Sequence, residues 1–124
     1  MKYFNLYEFD SPDLVGSGEN MDEYFLEMLD KARAIAGIPF VISKGGGFRT
    51  PEYNRRLCAT NKRASPTSSH MKGLAADIIC KGSRQRCYIM ASLLDVGFSR
   101  IGVAKSFLHV DLDTDKEEEL IWVY

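Results

Sequence analysis

Ser69-His70-Met71-Lys72-Gly73-Leu74-Ala75-Ala76-Asp77-Ile78-Ile79-Cys80 runs from a polar loop, through a glycine, into an apolar segment that carries one carboxylate. Leu74 to Cys80 has the length and composition of a buried strand. Asp77, set inside Ala-Ala-Asp-Ile-Ile, would cost several kcal/mol if buried without a partner. A divalent cation shared with His70 would compensate it. The second of the chain's two histidines, His109, lies in Phe107-Leu108-His109-Val110-Asp111. Strand alternation there puts Phe107, His109 and Asp111 on one face. Two imidazoles and one carboxylate leave a zinc ion one open position, the pattern of a catalytic site and not of a closed structural one. Zinc so held would activate a water and polarise a carbonyl. The plainer alternative is that each histidine is an ordinary core or surface residue and Asp77 a cap, since His-x6-Asp alone is a weak pattern.

Outward from this stretch, helix and strand signals alternate. Asn20 and Glu23 have the spacing of a capping box. From there Met21, Tyr24, Phe25, Met28, Leu29, Ala32, Ile35 and Ala36 form one helical stripe, which Gly37 and Pro39 end. Phe40-Val41-Ile42 reads as a short buried strand. Thr50 caps a second helix that starts at Pro51 and reaches Leu57 or Cys58. Thr60 to Ser69 is a loop rich in Ser, Thr, Asn and Pro. A third helix runs from Ser83 to Leu94 with Cys87, Met90, Ala91 and Leu94 on one side, and Gly97 closes it. Strands are expected near Phe98–Val103 and Phe107–Leu112, joined by a turn at Ala104–Ser106, with a terminal strand at Ile121–Tyr124. The order predicts an α+β fold, a small antiparallel sheet with flanking helices and the zinc site on the sheet, in a single domain over residues 1–124.

Composition excludes several classes. The chain is 45% hydrophobic and 27% charged with a net charge of -1, so neither disorder nor a long basic nucleic-acid footprint is expected. The densest basic stretch, Arg55 to Arg63, is interrupted by Leu57 to Asn61 and reads as a solvated helix face and loop. No apolar run of ~18 residues is present, so membrane insertion is not expected. Met1 to Asp10 alternates aromatic and polar residues and lacks the apolar core of a signal peptide. Cys58, Cys80 and Cys87 are odd in number, show no CxxC spacing and read as reduced thiols of a protein made in the cytoplasm.

The segment Ser69-His70-x-x-Gly73-x-Ala75-x-Asp77, followed by His109-Val110-Asp111, resembles the M15 family of zinc peptidases. These are D-Ala-D-Ala carboxypeptidases and related murein endopeptidases, some of them phage endolysins. Gly47-Phe48-Arg49-Thr50-Pro51-Glu52-Tyr53-Asn54 looks like a third family element, and the match in order and spacing runs from about Phe40 to Asp113. The resemblance implies that His70, Asp77 and His109 are the zinc ligands. It implies that Arg49 binds the substrate's carboxylate or polarises its carbonyl, as a rigid charged fork suits planar oxygen groups. Without the resemblance, an Arg49–Glu52 surface ion pair is the simpler reading.

Two departures bear on chemistry. Ser43-Lys44-Gly45-Gly46-Gly47-Phe48-Arg49 carries extra glycines, which read as a longer loop that places Arg49 less firmly. Several family members put an acidic general base three residues before the last zinc histidine, where this chain has Ser106. Asp111 is then the candidate catalytic base, or else it orients His109; both readings stay open. Ser68 and Ser69 read as backbone caps, with Ser69 also a candidate substrate contact. Trp122 and Tyr124 are able to line a groove but read more simply as core, and Asp113 to Glu119 reads as a solvated turn.

The resemblance implies a zinc carboxypeptidase or endopeptidase, expected as a monomer, acting on D-amino-acid bonds of peptidoglycan stem peptides or crosslinks. The alternative is a catalytically silent zinc domain that binds cell wall, or a virion or assembly component. The expected site of action is the periplasm or cell wall, reached by phage delivery or by another export route.

Overall fold

A computed structural model describes residues 1–124. Helix α1 spans Glu23–Ala36, α2 Pro51–Thr60 and α3 Ser83–Asp95. The strands are β1 Ala75–Ile79, β2 Arg100–Val103, β3 Phe107–Asp111 and β4 Leu120–Val123. The α+β class is as the sequence implies. No helix is long and apolar enough to cross a membrane.

Helix α1 starts later than the Asn20–Glu23 spacing suggests. Asn20 closes a short 3-10 turn, Ser17–Asn20, and Asp22 is the cap, its carboxylate accepting from Phe25 N at 2.9 Å. Gly37, at φ 70°, ends the helix as expected. The face it buries is Phe25, Leu26, Met28, Leu29 and Ala32, whereas Tyr24 and Ile35 of the expected stripe point to solvent. Thr50 caps α2 as the sequence implies, through Tyr53 N, and the helix runs on to Thr60. On α3 the buried residues are Ile89, Ser92 and Leu93, while Cys87, Ala91 and Leu94 are exposed. That face is turned by one residue from the expected one. Ile89 and Leu93 lie one helical turn apart, and Ser92 can join them because its hydroxyl donates to Ile89 O at 2.8 Å.

The sheet order is β1-β3-β2-β4. Strands β1 and β2 each pair antiparallel with β3, but β4 pairs parallel with β2, so the sheet is mixed and not antiparallel throughout. The reason is topological. Both edges of β3 are already taken, so the chain leaving it reverses, passes β2 and joins at that strand's free edge. Phe40–Ile42 does not form a strand. It makes one bridge, Ile42 to Ile78, and Val41 O accepts from Ile79 N, before the glycines bend the chain along the outer edge of β1.

One cluster of 17 buried apolar residues joins α1, α3 and one face of the sheet. Ala76 and Ile78 of β1, Ile101 of β2, and Leu108 and Val110 of β3 point into it. Alternation therefore turns Asp77, His109 and Asp111 to the opposite face. The register sets Asp77 directly opposite His109 and Ala75 opposite Asp111.

Candidate metal centre

His70 reaches the face of the sheet opposite the core from a 3-10 turn, Ser69–Lys72, capped by Ser68, whose hydroxyl accepts from His70 N at 3.2 Å. One ligand atom each of His70, Asp77 and His109 lies within 4.8 Å of the others, so the three expected ligands converge. His70 Nε2 faces Asp77 Oδ1 at 3.4 Å, and His109 Nδ1 faces the same oxygen at 2.9 Å.

The opposite ring nitrogens decide what those atoms can do. His70 Nδ1 lies 2.9 Å from Gly47 O, which only accepts, so that nitrogen carries the proton. In the neutral ring the Nε2 lone pair then points at a carboxylate oxygen. His109 Nε2 lies 2.7 Å from Asp111 Oδ2, and its hydrogen likewise belongs there. The inner nitrogens of both rings thus face one Asp77 oxygen, so three atoms able to ligate a cation are gathered at one point once His109 gives up its Nδ1 proton. Two nitrogens and a carboxylate oxygen suit a borderline divalent ion, and each ring N–H is already anchored from behind.

Charge at the site follows the same geometry. Burial pushes His70 below the ordinary imidazole value in spite of Asp77. Burial also opposes charge on His109, but Asp111 and Asp77 on either side outweigh it and hold its pKa above that value. Burial alone would raise Asp77; the two histidines overcome it and keep the carboxyl well below the usual range.

Arg49 lies beside this group, with Nε donating to Gly45 O at 2.7 Å and Nη2 to Asp77 Oδ2 at 3.3 Å. It pairs with Asp77 and not with Glu52. The glycine run does not leave it loosely placed, since its side chain is only 11% exposed. Gly46 is where the backbone must come close: a Cβ there would strike Ser43 Oγ and come within 2.9 Å of Asp77 Cβ.

Asp111 is 1% exposed and uses both oxygens. Oδ2 meets His109, and Oδ1 accepts from Arg100 Nε at 2.7 Å and from Asp113 N at 3.2 Å. Ser69 is buried at the cleft, and its hydroxyl donates to Asp113 Oδ2 at 2.7 Å. The stretch Asp113–Glu119 is thus not simply a solvated turn. Asp113 is buried and accepts from Ser69 and from Lys72, at 2.8 Å, so it ties the His70 turn to the end of β3.

A cleft of about 380 Å3 opens over the cluster. Trp122 and Tyr124 line it instead of joining the core, and Trp122 lies 5.6 Å from the His109 ring. The sequence carries one sign of this. Gly102, inside β2, has no side chain because the rings lie over it: a Cβ would come within 2.7 Å of Trp122. Arg100, also unforeseen, sits with its guanidinium 5.1 Å from the Trp122 ring centre and donates through Nη1 to Glu117 O.

Among curated proteins, none matches this chain. A family model described as Peptidase M15 matches residues 11–113. That span contains Arg49, the glycine loop, all three converging ligands and Asp111, and it extends the likeness well before Phe40. The chain belongs to the peptidase M15 family.

Proposed function

We propose that this protein is a zinc-dependent peptidase, one domain over its 124 residues, that cuts D-amino-acid bonds in peptidoglycan stem peptides or crosslinks. The observation that carries the reading is the convergence of His70, Asp77 and His109, with the outer nitrogen of each ring already anchored. When bound, zinc supplies Lewis acidity, which activates water and polarises a peptide carbonyl. Asp111 holds His109 in the ligating orientation, and its engaged oxygens favour that role over a free base. Arg49 has its Nε and Nη2 fixed by Gly45 and Asp77, leaving the Nη1 side of the fork to orient a substrate carboxylate or carbonyl. Ser69 shapes the wall through its bond to Asp113. The peptidoglycan assignment is supported by the His70–Asp77, His109–Asp111 and Arg49 elements of the sequence. It places the site of action in the periplasm or cell wall, reached by phage delivery or another export route.

Incubating the zinc-loaded protein with purified peptidoglycan, and weighing the released fragments by mass spectrometry, tests the proposal. Fragments from cleavage beside a D-residue are expected, and they should vanish when His70 is replaced by Ala. A second reading has its own support: Ser106 sits where the family often has an acid, and the oxygens of both carboxylates lining the cleft, Asp77 and Asp111, are engaged. Intact peptidoglycan of every chemotype, from protein that holds zinc, would favour a silent wall-binding or assembly domain.

A further inference from the structure

Five cationic side chains line the cleft, namely Lys44, Arg49, Arg63, Arg100 and Lys116, against the two carboxylates Asp77 and Asp111. Three of the five are committed. Arg49 pairs with Asp77, Arg100 with Asp111, and Lys116 lies 3.8 Å from Asp113. Lys44 and Arg63 have no carboxylate within ion-pair distance, unlike the neighbouring Arg56, which meets Asp13 at 3.5 Å. Of these two, Arg63 is the one with a seat, because its guanidinium lies 5.9 Å from the Tyr124 ring centre.

That seat belongs to a continuous wall. The His109 and Trp122 rings lie 5.6 Å apart, and Trp122 meets Tyr124 edge-on at 6.3 Å. Gly102 leaves room beneath both rings, since a Cβ there would crowd Tyr124 as well as Trp122. An extended peptide lying on this wall, at ~3.3 Å per residue, passes from the metal ligands to Arg63 within about five residues. A bound divalent cation adds positive charge at the other end. The chemistry that satisfies both ends is a peptide with a carboxylate displaced from the bond to be cut.

We propose that Arg63, seated on Tyr124, binds a side-chain carboxylate of the substrate and makes the cleft selective for acidic peptides. This rests on the peptide-cleaving reading of the site. Arg49 meets oxygen at the reacting end, and Arg63 meets a second anionic group at the mouth. Guanidinium suits the task because it stays charged and presents paired donors to a carboxylate.

The test uses the chain's single tryptophan, Trp122, as a reporter of cleft occupancy. Zinc-loaded protein is mixed in stopped flow with N-acetylated, C-amidated alanine hexapeptides, all-L or alternating L and D. Each carries one Glu or one Gln at successive positions, and binding is read before turnover. Wild type should bind Glu roughly fivefold more tightly than Gln at one position, the scale of a partly exposed charged contact. Arg63→Ala should abolish that preference and Arg63→Glu reverse it, while Arg56→Ala leaves it intact. Equal affinity for Glu and Gln at every position, no binding at all, or a preference that survives Arg63→Ala overturns the proposal. Cleavage of the same peptides is scored separately. Arg63-dependent selectivity without cleavage would fail the peptidase reading alone, and cleavage without selectivity would fail this inference alone.

Discussion

Asp111 divides its oxygens between His109 Nε2, at 2.7 Å, and Arg100 Nε, also at 2.7 Å. A carboxylate behind a ligating imidazole fixes the ring and its proton, and losing such a partner typically weakens metal binding ~10–100-fold. Asp111→Asn should therefore loosen zinc by that order, with activity returning at high zinc, as read by metal titration and rate on one sample. An amide cannot accept from both His109 and Arg100. If the variant instead holds zinc as tightly as wild type and loses roughly two to four orders of magnitude in rate, Asp111 is the base. The sequence could not choose between these roles. Alternation puts Asp111 on the His109 face but does not say which ring nitrogen turns toward it. For Asp77 the same reasoning was enough, because a lone carboxylate in an apolar strand demands a partner wherever the ring nitrogens point.

The 3-10 turn that carries His70 is joined to the stretch just after β3 by its own first and last side chains, Ser69 and Lys72. Lys72 Nζ meets Asp113 at 2.8 Å and Asp115 at 2.9 Å, and Ser69 donates to Asp113. Burial disfavours the Asp113 carboxylate, yet Lys72 and Ser69 outweigh it and bring the pKa from 3.8 down to about 2. A group with a depressed folded pKa contributes stability above its ordinary value and loses it as pH falls through the folded one. The melting temperature of the wild type should thus drop as pH falls from about 4 to about 2. Asp113→Asn should melt lower at neutral pH and fall less over that acid window; parallel curves for the two proteins would contradict this account of the turn. The stretch read as a solvated acidic run because composition does not reveal that one of its five acids is buried. Two helix ends were easier to read, although the cap of α1 fell on Asp22 and not on Asn20. Thr50-Pro51 and Gly37 act within one turn of chain, whereas the face of α3 depends on what α1 presents to it.

Across the whole molecule, what depends on residue type and order was legible, and what depends on distant chain crossings was not. The α+β class and the three converging ligands follow from strand alternation and a small set of metal-binding side chains. The place of β4 follows from both edges of β3 being filled, a fact no local pattern carries. With β4 beside β2, Trp122 and Tyr124 become the cleft wall, so the missed topology and the missed site residues have one cause. The most direct test of the central claim is metal analysis of the protein purified without chelator, paired with its melting curve. One zinc per chain is predicted, and zinc at ~1,000 times its Kd should add ~4 kcal/mol, or roughly ten degrees or more in Tm. Both effects should be lost in His70→Ala, Asp77→Ala and His109→Ala. A metal-free protein whose Tm zinc does not raise would contradict the account.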